Sequence, residues 1–269
     1  MILARQAWAF LIRDLRIELS YRALLLQRVA TGLATLLVLF FVGQTVGFTS
    51  VHLDPYGGDY FAFAVIGLAT LGPMTAALGH MAMRVREAQL TGTLEAILAA
   101  PIAPWRAIVL STTQPVLMSA VRMVALLAGA VLFFELHLHL HRIFAAIFIV
   151  AMTLIAYGAL GLVSAAVTLR YQRGDPMAAA LNMAGLLLGG VFFPIELLPD
   201  GIRNLSDLIP VTHALEALRG TLLLDQSLTD VGPSIAALAA FPILLGIPAA
   251  WIFKLALQSA RKNGTLTHY

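Results

Sequence analysis

Six long apolar stretches dominate the chain and leave few folds open to it. They lie at 29–48, 60–82, 107–134, 143–168, 177–194 and 233–256. Each has about the 20 apolar residues that a helix needs to cross the hydrocarbon core of a bilayer. Charged residues make up only 12% of the chain, against about 25% in a typical soluble domain. The sequence therefore predicts an all-α polytopic membrane protein with six transmembrane helices in a domain at 29–269.

The basic residues are distributed unevenly among the connections. Most of the 17 Lys and Arg residues fall in the N-terminal segment, the second and fourth connections and the C-terminal tail. By the positive-inside rule, these segments and both termini lie in the cytoplasm. We therefore expect a multi-pass protein of the inner (plasma) membrane. Topology accounts for the net charge of +3, and no nucleic-acid partner is expected.

The N-terminal segment 1–28 has an amphipathic pattern. One stripe of about 100° carries its large apolar side chains, which are Trp8, Leu11, Ile12, Leu15 and Leu19. Arginines and acids flank the stripe on either edge. The pattern predicts an interfacial helix in contact with membrane lipids, and an amphipathic helix packed on protein is the alternative.

The chain lacks the common motifs for catalysis and nucleotide binding. Its two lysines, Lys254 and Lys262, do not follow the glycines of a phosphate-binding loop. It has no cysteine, and we predict no catalytic residue, cofactor or metal site in it. The alternating histidines His137, His139 and His141 are interpreted as part of a polar outer loop, and His213 as structural.

The connection at 83–106 is longer than a link between two spans requires. Gly92 predicts a break between two short helices, the second at 93–99 and ended by prolines. Leu94 contributes to an apolar face of this helix, and Glu95 lies on its polar side. Such a helix fits a groove in a cytosolic partner; an interfacial helix without a partner is the alternative.

The outer break at 195–232 contains two short amphipathic helices between prolines. They are too short to span a bilayer and too apolar for a solvated loop. We therefore predict a re-entrant outer helical hairpin, at 194–230, before the sixth span. Irregular backbone at membrane depth is tolerated inside protein or beside a water-filled cavity, which suggests a gate.

Arg122 lies near the middle of the third apolar stretch. An arginine at that depth is costly and normally faces a protein interior or a wet cavity. Two roles remain open, one facing a pathway or a phosphate group and one capping backbone carbonyls. Glu216 is the nearest candidate carboxylate.

The assembled pattern resembles the membrane subunit of an ABC exporter of the type-2 permease family. The segment GTLEAILAAPIAPWRAI from Gly92 looks like the family's coupling region after the second span. The segment FFPIELLP…LIPVTHALEALRG from Phe192 looks like its re-entrant outer helices. With the interfacial helix and the six spans, the resemblance covers nearly the whole chain.

The resemblance implies a homodimer, or a heterodimer with a related permease, bound to two copies of a separate ATPase subunit that holds ATP and Mg. Expected substrates are a hydrophobic drug, a lipid or a lipid-linked glycan. The expected ATPase contacts are Arg86, Glu87, Thr91 and Glu95. The expected pathway or outer-gate residues are Arg122, Pro194, Glu196, Pro210 and Glu216.

Two rival functions are weighed against the exporter. A polytopic membrane enzyme, such as an acyl or glycosyl transferase, could use His213 with Glu216 or the His137 cluster, and would act without an ATPase. An ion-driven transporter usually needs acids inside its spans, and the six stretches contain essentially none. The exporter is therefore the preferred interpretation.

Overall fold

The computed structural model describes residues 22–46, 53, 56–94, 103–171 and 175–262. Within these ranges the regular structure is helical, without a β-strand. The helices are α1 (Arg22–Val46), α2 (Tyr60–Leu90), α3 (Pro104–Ser111), α4 (Thr113–Phe134), α5 (Ile143–Tyr171), α6 (Pro176–Leu188), α7 (Asp200–Ser206), α8 (Pro210–Leu223) and α9 (Gly232–Lys262). The all-α prediction is confirmed for this part of the chain.

Five described segments are long and apolar enough to cross a membrane. They are Leu26–Thr45, Tyr60–Leu90, Pro104–Phe134, Leu140–Tyr171 and Gly232–Gln258. Hydrocarbon offers no water to backbone groups, so a spanning segment must satisfy its own N–H and C=O groups, as a helix does. These segments coincide with the first four and the sixth of the predicted stretches. The chain is a multi-pass membrane protein.

The fifth apolar stretch, 177–194, differs from the prediction. Its helix α6 has 13 residues, or about 20 Å, which is short of the roughly 30 Å hydrocarbon core. The following residues 189–193 are bends, and Gly190 has a φ of 72°. That left-handed conformation suits glycine and ends a helix. The stretch is therefore a short helix followed by irregular backbone.

Helix α2 begins and ends at recognisable signals. The Asp59 carboxylate accepts hydrogen bonds from the Phe61 and Ala62 N–H groups, at 2.8 and 3.3 Å, as an N-cap does. The helix continues through residues 83–90, which the sequence placed in the connection. It stops before Gly92, whose φ of 68° confirms the predicted break. Leu94 is helical, and the rest of the predicted helix at 93–99 lies outside the described residues.

Two other helix boundaries also differ from the prediction. α1 begins at Arg22, so the last residues of the predicted interfacial segment belong to the first span; residues 1–21 lie outside the described residues. The third apolar stretch starts at Pro104 and is interrupted at Thr112, which separates α3 from α4.

Helix α5 lies at the centre of the bundle and contacts α2, α8 and α9. It passes close to α2 at Gly161, where an added Cβ would stand 2.5 Å from the Ala77 carbonyl oxygen. A glycine permits this approach because it has no side chain to separate the two backbones. The crossing at Gly161 thus sets the distance between two central helices.

The bundle has two chemically different ends. The first, here called the basic end, is formed by the C-terminal ends of α2, α5 and α9 and the start of α3. Basic residues near it include Arg84, Arg86, Arg106, Arg170 and Lys254. The opposite end carries the starts of α2, α5 and α9. Gln89 near the end of α2 donates a hydrogen bond to the Leu169 carbonyl near the end of α5, at 3.3 Å, so these two helices run in the same direction.

Candidate functional site

Helix α8 lies inside the bundle, packed against α2, α5 and α9. Its buried residues are Pro210, Val211, Thr212, Ala214, Leu215, Ala217, Leu218, Arg219, Gly220, Thr221 and Leu222. Two of the predicted gate prolines, Pro194 and Pro210, are buried. Pro210 occupies the first turn of α8, where its missing N–H removes no helical hydrogen bond. The segment predicted as a re-entrant hairpin therefore contains a helix that forms part of the protein core.

Small residues let the start of α8 approach its neighbours closely. A Cβ added at Gly185 would lie 3.5 Å from Val211 Cγ1, and one added at Gly189 only 2.2 Å away. The same valine and Tyr157, near the middle of α5, belong to one buried cluster. The start of α8 is thus held between α6 and the middle of α5.

Arg219 is the most densely bonded side chain of α8. It is 3% exposed and donates hydrogen bonds to three backbone carbonyl groups. Nε and Nη2 reach the Phe63 oxygen at 3.3 and 2.9 Å. Nη1 reaches the Gly190 oxygen at 2.8 Å, and Nη2 also reaches the Val191 oxygen at 3.1 Å. One guanidinium therefore joins α8 to α2 and to the irregular segment after α6.

Aromatic and acidic groups complete the surroundings of Arg219. Its guanidinium carbon lies 3.3 Å from the centre of the Phe63 ring and 5.9 Å from that of Tyr56, distances at which a cation is attracted to a ring face. The Tyr56 hydroxyl donates to Glu196 at 3.1 Å. Burial raises the pKa of Tyr56, and the Glu196 carboxylate raises it further, so this phenol keeps its proton and remains a donor.

Gly67 on α2 makes room for this arrangement. A Cβ at this position would stand 2.3 Å from the Val191 carbonyl oxygen and 2.9 Å from Arg219 Nη2. The backbone of 189–193 therefore rests directly on α2. We call Arg219, Phe63, Gly67, Gly190 and Val191 the arginine clamp.

The two predicted gate acids are attached to different elements. Glu196 accepts from Tyr56, before α2, whereas Glu216 on α8 accepts from the Ser234 hydroxyl of α9 at 2.8 Å. Glu196 therefore connects the segment that runs from Pro194 through α8 with Tyr56, and Glu216 connects the same segment with α9.

Arg122 lies in α4, and its hydrogen bond is to a residue outside the arginine clamp. Its Nη2 donates to Ser119 Oγ at 2.9 Å, and that hydroxyl donates to the Gly72 carbonyl oxygen of α2 at 3.2 Å. The suggested carboxylate partner, Glu216, is bonded to Ser234 instead. Arg122 is exposed in the single chain, although it is near the middle of an apolar span.

The turn after α2, residues 91–93, presents polar groups at the basic end. Arg84 and Glu87 form a 3.0 Å ion pair on the surface of the last turns. The Thr91 hydroxyl donates to the Glu87 carbonyl oxygen at 2.9 Å and bonds with the Thr93 hydroxyl at 2.8 Å. Arg86 is half-buried, and Glu95 lies outside the described residues. Leu94, predicted on the docking face, is instead buried among residues of α2, α3, α5 and α9.

A comparison with models of protein families identifies the family of this chain. The model of the family described as ABC-2 type transporter matches residues 5–223. The chain belongs to the ABC-2 type transporter family. A comparison with curated proteins finds no match. The predicted recognition is confirmed, and the protein is a permease component of an ABC transporter, which takes part in transport and is not itself catalytic.

Three histidines of this ABC-2 transporter, His139, His141 and His213, make structural contacts. His139 Nδ1 lies 3.2 Å from the Leu222 carbonyl oxygen, and His213 Nε2 lies 2.9 Å from that of Asp207. His141 and Arg142 both bond Asp225 at 2.7 Å; the Arg142 hydrogen bond, more than that of His141, lowers the pKa of the Asp225 carboxyl. Among the residues described, no three potential ligands are grouped around a metal site.

The sequence analysis did not identify Arg219 as a candidate site residue. All three acceptors are backbone carbonyls, so no complementary acid in the sequence points to it. The available signal was its position within an amphipathic helix. Arg219 falls on the apolar side, one residue after Leu218 and four after Leu215, whereas a solvated arginine belongs on the polar side.

Proposed function

We propose that the chain is the membrane-spanning subunit of an ATP-driven exporter, works as a dimer and couples to two copies of a separate ATPase subunit that binds ATP and Mg. The family match over residues 5–223 carries this proposal. The sequence contains no phosphate-binding loop, which agrees with ATP hydrolysis in a separate subunit. A hydrophobic drug, a lipid or a lipid-linked glycan is the proposed substrate.

The proposed topology has six crossings with both termini in the cytoplasm. α6 and the irregular backbone after it would make the fifth crossing, and α7 with α8 the re-entrant outer hairpin. Two observations support the hairpin: Val211 at the start of α8 lies in the same buried cluster as Tyr157 in the middle of α5, and the Leu222 carbonyl at the end of α8 accepts from the His139 N–H before α5. α8 thus runs from mid-bundle depth to the opposite end.

The direct test is purification of the detergent-solubilised chain from its native host, followed by an ATPase assay. We expect a soluble chain of nucleotide-binding size to co-purify in equal amount, with vanadate-sensitive hydrolysis. A stable oligomer that purifies alone, with acyl or glycosyl transferase activity, would instead support the membrane-enzyme alternative.

The proposed ATPase contact at the basic end predicts an effect of Glu87→Lys. Glu87 is exposed, so the variant keeps the fold while placing the wrong charge beside the turn at 91–93. Like charges across an interface disfavour association by several kcal/mol, and we expect at least about tenfold weaker binding of the ATPase subunit. Asp207→Lys, an equal charge change at the exposed end of α7, is the control. Equal binding by both variants would remove Glu87 from the contact.

The exposure of Arg122 supports a place on the transport pathway or the dimer face. A lipid-facing arginine at this depth is unfavourable, whereas a water-filled pathway between two subunits would solvate it. We expect Arg122→Leu to lower export about tenfold, as loss of a charged hydrogen-bonding group does, and Arg122→Lys to retain part of it. If the Leu variant exports normally and melts at a higher temperature, Arg122 destabilises the fold and has no role in transport.

A further inference from the structure

A large apolar groove lies between α2, α3, α4, α5 and α9, outside the arginine clamp. Its volume is about 870 Å³, within the range of roughly 300–1,000 Å³ that is usual for ligand pockets. Its walls are mainly aliphatic, and Leu117, Ile155 and Ile247 at its edge are exposed. The groove therefore opens toward the membrane.

Small and helix-breaking residues create this space. Gly158 of α5 and Gly246 of α9 both line the groove, and a Cβ added at Gly246 would meet no atom within 4 Å. Pro242, also in the wall, lies inside α9, where proline removes a backbone hydrogen bond and bends a helix. The groove is thus a product of the sequence of α9 and α5.

A second cavity continues the groove toward the basic end. It has a volume of about 510 Å³ and shares Trp105 and Ala250 with the groove. Its wall also contains Trp251, Lys254 and Gln258. Tryptophan at the level of lipid headgroups and a lysine reaching the interface are typical contacts of an anionic headgroup.

The dimensions of the two cavities match one leaflet. From Pro242 to Lys254 the wall of α9 extends about 18 Å, slightly more than half of the roughly 30 Å hydrocarbon core. An apolar channel of that length, with a cation at its interfacial end, complements an acyl chain attached to a phosphate. We propose that this groove binds one anionic phospholipid from the leaflet at the basic end, independently of what the transporter exports.

Quenching of tryptophan fluorescence by brominated phospholipids tests this proposal. The experiment uses the full chain in detergent with Trp8→Phe, so that the signal comes from Trp105 and Trp251. Brominated phosphatidylglycerol is expected to quench at lower lipid ratios than brominated phosphatidylcholine. Lys254→Gln is expected to weaken phosphatidylglycerol binding about fivefold, the contribution of one cation near a membrane surface, and to leave phosphatidylcholine unchanged.

A second experiment fills the groove with a larger side chain. Gly246→Phe places a ring in the open space and is expected to abolish the preference for phosphatidylglycerol. Gly79→Phe is the matched control, because Gly79 on α2 also has no atom within 4 Å of its Cβ position and does not line either cavity. Melting curves confirm that both variants are folded.

Three outcomes would overturn the proposal. Equal quenching by the two lipids, or Gly246→Phe behaving like Gly79→Phe, means that only general lipid contact occurs. A change of oligomeric mass in Gly246→Phe without a change in quenching means that a second copy of the chain fills the groove.

Discussion

Replacing Arg219 with methionine is expected to destabilise the folded chain by about 2–4 kcal/mol, because carbonyl groups that it satisfies lose their donors in a buried site. Methionine retains much of the side-chain volume, so the loss reports on hydrogen bonding and on attraction to the Phe63 ring more than on an empty cavity. Thermal unfolding in detergent measures the effect.

Two further variants sharpen this result. Arg219→Lys is expected to rescue little, since one ammonium group cannot reproduce the fork of donors that reaches Phe63, Gly190 and Val191. Arg203→Met, which removes an exposed arginine of α7, is expected to change stability by less than about 0.5 kcal/mol. If Arg219→Met is as stable as Arg203→Met, the hydrogen bonds of the arginine clamp do not stabilise the fold.

Gly161→Ala is expected to cost about 1–3 kcal/mol, because its new methyl group would overlap backbone atoms of α2 and drive the two central helices apart. The nearest of those atoms is the Ala77 carbonyl oxygen, 2.5 Å from the Cβ position. Unfolding of the purified chain and its export activity are the measurements.

Gly158→Ala is the matched control on the same helix. Its Cβ would meet only the end of the Met81 side chain, at 3.8 Å, an ordinary contact. Alanine is favoured over glycine inside a helix by up to about 1 kcal/mol, so this variant is expected to be neutral or slightly more stable. If both alanine variants behave alike, the approach of α2 to α5 does not depend on a missing side chain.

Much of the fold follows from the apolar stretches, because length and hydropathy alone define a spanning helix. They locate α1, α2, α5 and α9, and the third stretch as α3 with α4. The sequence analysis ended the second apolar stretch at residue 82 because charged residues begin at Arg84. Those charged residues are compatible with a helix, so α2 continues to Leu90 and stops before Gly92.

The fifth stretch shows a different limit. Its composition is as apolar as that of the others, and composition does not reveal that Gly190 takes a left-handed conformation. That conformation depends on Gly67, Val191 and Arg219 meeting in space, and they are distant in sequence. The approach of Gly185 and Gly189 to Val211 likewise joins residues that are not neighbours in sequence.

The proposed gate residues were chosen from the family pattern, and their role in transport stays a prediction. Pro194, Glu196, Pro210 and Glu216 all lie in the segment around α8 that the sequence singled out as a gate. The arginine clamp was not predictable, because its acceptors are backbone atoms. Glu95 remains a prediction, since it lies outside the described residues.

The shortness of α6 has a consequence for how the protein is made. A 13-residue helix is a weak signal for insertion as an independent span, and the irregular backbone after it needs buried partners before it can leave water. Partners on α2 are synthesised earlier, but Arg219, which donates to the Gly190 and Val191 carbonyl groups, lies on α8 and follows later. The irregular backbone therefore cannot complete its hydrogen bonds until α8 has been made, and we expect α6 and α8 to enter the bilayer together.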